Sequence, residues 1–273
     1  MIVSHKHKFI FIKTMKTAGT SIEAFLASYC EGSDVVTFLG IDDEFVRRKM
    51  GVYPMNNLRP EFNIPDERDA PIETLQDLKD FRKAHQYLWG SSKGIRRISF
   101  GPHTPARKAM KKIGKGCWND YYTFCFDRDP WERTISHFYF SPKGKDIEFA
   151  TDEQIRSYVS AKQLQGKAAC NSKYYTDKKG KLLVKDLFDL ANLDEVMRGI
   201  CTRFGFDFER FKALPKFKGA SRKDRRPYEE FLTPQTIDLI GQVNKRAIGF
   251  LGYKPRVSKV GDAGAGGNIP GDP

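Results

Sequence analysis

The sequence predicts an α/β fold: a central, mostly parallel β-sheet flanked by helices. Three observations carry that expectation. Two short runs rich in β-branched and aromatic residues, Phe9 to Ile12 and Tyr121 to Phe126, read as buried strands. Each is followed by a loop and then by a stretch whose apolar residues recur at helical spacing. Strands separated by helices, with no internal repeat, favour a layered arrangement over a bundle or a sandwich.

Taken in order, Lys8-Phe-Ile-Phe-Ile-Lys13 is the first strand, and a turn through Gly19 leads into a helix over Thr20 to Tyr29. Ile22, Phe25, Leu26 and Tyr29 give that helix its apolar face. Pro54, Pro60, Pro65 and Pro71 break the next region into loops around a short helix at Asp42 to Lys49. Ile72 to Trp89 carries a helical stripe at Leu75, Leu78, Phe81 and Leu88, and Pro102 to Gly114 reads as a loop entering a basic helix. The Tyr121 strand follows, then a helix from Pro130 to Phe140. Helices are expected at Thr151 to Ala161 and Leu193 to Phe204, a short strand near Leu182 to Lys185, and one amphipathic helix from Thr233 to Leu251. Residues 1–255 are expected to form a single domain, and residues 256–273 a disordered Gly/Pro-rich tail.

Charge narrows the partners. Forty-seven Lys and Arg against 34 Asp and Glu leave a net charge of +13, which suits an anionic ligand or a merely basic surface. Cys30, Cys117, Cys125, Cys170 and Cys201 are scattered, with no CxxC pair, and read as free thiols of a reducing compartment. No Cys/His spacing suits zinc, and no metal is expected. No run approaches the roughly 20 apolar residues of a membrane helix, and no secretory signal is visible, so a cytoplasmic location is expected.

Two segments carry chemistry. Lys16-Thr17-Ala18-Gly19-Thr20-Ser21 lies between a strand and a helix, where loop N–H groups and the helix dipole favour an anion. Ala18 and Gly19 are small enough to let the backbone approach. Thr17, Thr20 and Ser21 add hydroxyls, and Lys16 adds a point charge. It is not a Walker A loop, because lysine precedes the only glycine by three residues instead of following a second one. The second segment, Asp127-Arg-Asp-Pro-Trp-Glu-Arg-Thr-Ile-Ser136, starts a helix after a strand. Asp129 suits the N-cap, Pro130 the first turn and Glu132 the capping-box position. Arg128 sits at the strand's mouth with a planar fork suited to phosphate oxygens, or to a capping ion pair.

The first segment resembles the 5′-phosphosulfate-binding loop of PAPS-dependent sulfotransferases, especially the carbohydrate-type branch, with Met15 where that family usually has proline. The second is similar to the family's 3′-phosphate motif, in which a strand is followed by Arg-Asp-Pro, an aromatic and a later helical serine. The resemblance implies a P-loop-like sulfotransferase fold and sulfuryl transfer from PAPS to an acceptor hydroxyl, by default on a glycan, with PAP released. It implies that Lys16 is catalytic, that Lys16 to Ser21 bind the donor's 5′ side, and that Arg128 and Ser136 hold its 3′-phosphate.

The transfer needs a base for the acceptor hydroxyl, and histidine is the commonest. His103, in the loop Gly101-Pro-His-Thr-Pro105, is similar to a Gly-His-His-Thr-Pro segment of related carbohydrate sulfotransferases; the position equally suits a loop-packing histidine. His5, His7, His85 and His137 are less well placed. Lys218 to Pro227 is the densest basic run. There Ser221, Arg222 and Lys223 are candidates for the 3′-phosphate, with a solvated charge run or an acidic-acceptor surface as alternatives. The rival functions are an ATP-dependent kinase, which lacks its Walker A loop here, and a nucleic-acid-binding protein, for which no zinc finger or RRM signature is present.

Overall fold

The computed structural model describes residues 1–58, 68–85, 99–164, 170–215, 217 and 224–256. In chain order the elements are β1 (Ile2–Ser4), β2 (Phe9–Ile12), α1 (Gly19–Ala27), β3 (Val35–Val36), α2 (Ile41–Lys49), α3 (Leu75–Ala84), α4 (Ala106–Ile113), α5 (Lys115–Asp120) and β4 (Tyr122–Asp127). There follow α6 (Pro130–Phe140), α7 (Asp152–Leu164), α8 (Ser172–Tyr175), β5 (Asp186–Asp189), α9 (Leu193–Phe204), α10 (Phe208–Lys212), α11 (Pro234–Val243) and α12 (Lys245–Leu251). The end of the helix expected to reach Trp89 and the tail beyond Arg256 lie outside the described residues.

The α/β class is as expected. The sheet runs β3-β1-β2-β4-β5. β1 pairs antiparallel with both β2 and β3, whereas β2–β4 and β4–β5 are parallel, so only β1 runs against the others. The chain divides into two compact units, Met1–Asp129 with Cys170–Ser221, and Pro130–Ala169 with Arg222–Pro273.

The first unit holds the sheet, and strand alternation explains its two cores. Phe9 and Phe11 of β2, with Phe124 and Phe126 of β4, pack with Ile22, Phe25 and Leu26 of α1 and with Met197 and Ile200 of α9. The alternate residues Ile10, Ile12 and Cys125 pack on the opposite face with Ala106 and Ala109 of α4, Trp118 and Tyr175. A sheet covered on both faces needs strands apolar at every position, which is why these runs read as continuous rather than alternating. The second unit is helical. Trp131, Ile135, Phe138 and Tyr139 of α6 meet Ile155, Tyr158 and Val159 of α7 and Ile240 of α11.

Two expectations are corrected. The strand placed at Leu182 to Lys185 is β5 at Asp186–Asp189, and Leu182 makes only an isolated bridge with Thr176. Aspartates at both ends of β5 disguise the strand. One of them, Asp186, is held by the Tyr122 hydroxyl, and the other, Asp189, caps the turn at Ala191 N–H (3.0 Å). The long helix placed over Thr233 to Leu251 is broken at Asn244 into α11 and α12. Buried Asn244 accepts Arg133 Nη2 at 2.6 Å and donates to the Ile240 carbonyl at 2.8 Å, so its side chain competes with the helical ladder.

The topology points to one edge of the sheet. From the carboxyl end of β2 the chain goes to one side, to β3; from the carboxyl end of β4 it returns on the other side, as β5. The crevice between those two carboxyl ends is a topological switch point, where open α/β sheets bind ligands. The Lys16 loop follows β2, and Arg128 follows β4.

Candidate active site

The loop after β2 is shaped by two left-handed residues, Lys16 (φ 60°) and Ala18 (φ 53°). Left-handed residues interleaved in a turn orient successive N–H groups into a concave nest for an anion. Ala18 is the N-cap of α1; its side chain makes no capping bond, and the first turn contains no acidic residue. The opening N–H groups of α1 are therefore not satisfied by a side-chain cap, and the positive end of the helix dipole is not neutralised. Lys16, Thr20 and Ser21 are half-buried around this end, and Ala18 is exposed.

Thr17 and Gly19 act differently from expectation. Thr17 is buried, and its hydroxyl lies 2.8 Å from the Thr14 hydroxyl, which in turn donates to the Phe126 carbonyl. That clasp ties the loop to β4, so what Thr17 can offer an anion is its backbone. At Gly19 an added Cβ would lie 2.7 Å from Lys13 Cγ. The room glycine leaves is used by the stem of Lys13, which crosses it to pair with Glu23 at 2.8 Å. Both partners are buried. Glu23 also accepts the Thr37 hydroxyl (2.6 Å) and lies 3.0 Å from the Met1 amine. Burial alone would raise the Glu23 carboxyl, but Lys13, the Met1 amine and Arg47 outweigh it and hold the group at about 2.

At the end of β4, Asp127 is fully buried. Its Oδ1 accepts Arg128 N–H (2.8 Å) and Asn171 Nδ2 (2.8 Å), and its Oδ2 accepts the Tyr175 hydroxyl (2.7 Å). Arg128, half-buried, thus leaves the strand with its backbone pinned. Asn171, also fully buried, reaches the other loop as well. Its Oδ1 accepts Met15 N–H (3.0 Å), and its Nδ2 donates to Met15 C=O (3.0 Å).

His103 stands beside the same loop. Its Nδ1 lies 3.0 Å from the Lys13 carbonyl, which can only accept, so Nδ1 carries the proton and Nε2 holds the lone pair. Burial first, then the Lys13 ammonium, lowers the imidazole to about 4. A group lowered from 6.5 to about 4 stabilises the fold fully above pH 6.5, and that contribution is lost as pH falls towards 4. The contribution is on the order of 3 kcal/mol. Urea titrations at pH 7 and pH 4 are expected to show that loss in the wild-type protein and a smaller one in His103→Asn.

The other histidines have local partners: His5 the Tyr121 hydroxyl (2.7 Å), His7 the Tyr29 carbonyl (3.2 Å), His85 the Phe81 carbonyl (2.7 Å) and His137 the Tyr158 hydroxyl. The structure brings Lys16 to Ser21, Arg128 and His103 together in the first unit, on elements joined by the Thr14, Asn171 and Lys13 contacts. Ser136 belongs to the second unit, half-buried on α6. Ser221, Arg222 and Lys223 lie outside the described residues. Sequence reasoning missed Lys13, Glu23, Asn171 and Tyr175. Lys13 and Glu23 flank the loop and were findable as a charge pair on a buried strand and helix. Nothing local marks Asn171, which lies 156 residues from Met15.

No family model matches the chain. An uncharacterized protein from Archaeoglobus fulgidus is 26% identical over 108 residues, covering 38% of this chain and 85% of that protein. The crystal structure of a sulfotransferase from Alicyclobacillus acidocaldarius aligns over 92% of this chain and 97% of its own, with a TM-score of 0.40 and 14% sequence identity. Among the described residues no helix is long and apolar enough to cross a membrane, and no group of three or more His, Cys, Asp or Glu could hold a metal ion. All five cysteines are free thiols.

Proposed function

We propose that this chain is a PAPS-dependent sulfotransferase that moves a sulfuryl group to a hydroxyl of a glycan and releases PAP. One observation carries the reading. An uncapped helix end with a left-handed nest follows β2, and an arginine follows the neighbouring parallel strand β4, at the switch point of the sheet. Two anion-gripping loops on adjacent strands suit a nucleotide with phosphate groups at two separated positions. On this reading Lys16 to Ser21 hold the 5′ phosphosulfate and Arg128 holds the 3′-phosphate.

The step is an in-line displacement, close in kind to phosphoryl transfer. The acceptor oxygen forms a bond to sulfur as the bond from sulfur to the 5′-phosphate oxygen breaks. The acceptor proton goes to His103 Nε2, whose lone pair is oriented by the Nδ1 bond to the Lys13 carbonyl. Lys16 and the loop N–H groups stabilise the negative charge that builds on the departing phosphate oxygen. No metal enters this scheme.

An acidic glycan fits best. Helix α4 opens three residues after His103, burying Ala106 and Ala109 and exposing Arg107, Lys108, Lys111 and Lys112. Arg107, Lys108 and Lys111 are thus three exposed cations on one side of that helix, a surface that suits an anionic acceptor.

Thermal denaturation with PAP and with ATP–Mg²⁺ tests the donor. PAP at about 100 times its dissociation constant is expected to add about 2.7 kcal/mol of stability, visible as a rise of a few degrees in Tm. A shift with ATP–Mg²⁺ and none with PAP would replace the sulfotransferase reading by a kinase one.

A further inference from the structure

We infer that Asn171 is the positioning residue that locks the two phosphate-gripping loops into one geometry, so that the donor's 5′ and 3′ groups are bound as a unit. The inference rests on the PAPS reading of the site and goes beyond it, to a residue that touches neither phosphate.

The carboxamide of Asn171 spans both loops. Its oxygen accepts the Met15 amide at 3.0 Å, and its nitrogen donates to the Met15 carbonyl at 3.0 Å and to Asp127 Oδ1 at 2.8 Å. The same Asp127 oxygen accepts the Arg128 amide at 2.8 Å. A chain of three residues, Met15–Asn171–Asp127, therefore runs from the position before Lys16 to the backbone of Arg128. Asn171 and Asp127 are both fully buried, where a hydrogen bond is strong and a lost one is costly.

Two details argue that this is a specific device. Asn171 is the N-cap of α8, a position at which asparagine normally bonds its own helix, yet its side chain makes no capping bond. The side chain is turned instead to the loops. Tyr175, one helical turn further along, holds the other Asp127 oxygen at 2.7 Å, so one short element fixes both ends of the contact. The bond from position 15 also needs an N–H, which proline lacks and Met15 supplies. A primary amide is also required at 171, because aspartate could not donate and would face Asp127 with like charge.

Calorimetry with PAP and with AMP, which lacks the 3′-phosphate, tests the coupling in the wild-type protein, Asn171→Ala, Arg128→Ala and the double variant. Asn171→Ala is expected to weaken PAP about tenfold and AMP by less than about threefold, so the preference for PAP shrinks. The double variant is expected to lose no more PAP affinity than Arg128→Ala alone by over about threefold. Equal weakening of both nucleotides would mean a merely structural role and overturns the inference, as does an unchanged preference. Should Asn171→Ala fail to fold, Tyr175→Phe keeps the packing and removes one bond to Asp127. It is expected to move the preference in the same direction by a smaller factor, and no movement overturns the inference. Absence of PAP binding by the wild-type protein would instead remove the donor reading itself. Hydrogen exchange at the Met15 amide needs no nucleotide: protection in the wild-type protein and its loss in Asn171→Ala are expected, and free exchange in the wild type overturns the clamp.

Discussion

Lys16→Ala is expected to lower kcat by about two to three orders of magnitude while leaving the fold intact. The size follows from where charge appears. On the proposed mechanism the ammonium would interact weakly with the bound donor and strongly with the phosphate oxygen as the sulfuryl group leaves, so its loss should fall on turnover more than on PAP affinity. The fold should survive for a local reason. Lys16 is half-buried in a left-handed loop, and alanine bears the same backbone strain at that φ of 60° as lysine does. Sulfate transfer followed by mass spectrometry, with Tm measured alongside, checks both halves. Turnover within about threefold of wild type would remove Lys16 from the mechanism.

Glu23→Gln is expected to cost about 3–5 kcal/mol of stability. The variant keeps the shape of the side chain and removes the charge that Lys13, 2.8 Å away, pairs with beneath the loop. Breaking one partner of a buried pair costs more than replacing both, so Lys13→Met with Glu23→Gln should recover a large part of the loss. The pH dependence has a definite sign. Glu23 is held at about 2 against an ordinary value of 4.5, so its contribution is complete above pH 4.5 and fades as pH falls to 2. Denaturant titrations at pH 7 and pH 3 would show the gap between wild type and Glu23→Gln narrowing at the lower pH. A constant gap would mean that packing, not charge, sets the effect.

Much of this could be read from the chain because the relevant signals are local. β2 and β4 are largely apolar runs, and α6 lies at Pro130–Phe140 as anticipated because Asp129-Pro130 is a local helix-start signal. The candidate loop after β2 could be picked out for the same reason, since its backbone, small residues and one lysine fall within six positions. What was illegible is either too short or too distant. β1 and β3, with three and two residues, offer no period to detect. The break at Asn244 depends on Arg133, 111 residues away, and the Asp127 contact of Asn171 spans 44 residues. Hydrogen-bonding groups that act across the fold leave no spacing in the sequence, so polar residues that organise a site are found last.

The two left-handed residues of the loop have a consequence for how such sites arise. Lys16 and Ala18 adopt that backbone without being glycine, at a cost of order 1 kcal/mol each. The hydrogen bonds from Thr14 and Asn171 to this loop help to hold it in that shape. A change to Gly at 16 or 18 would relieve strain but remove a charge or loosen the turn, whereas a change at Thr14 or Asn171 would remove one of the hydrogen bonds that hold its shape. A search that counts glycines would pass over loops of this kind. One that asks which distant side chains hold the turn closed would not.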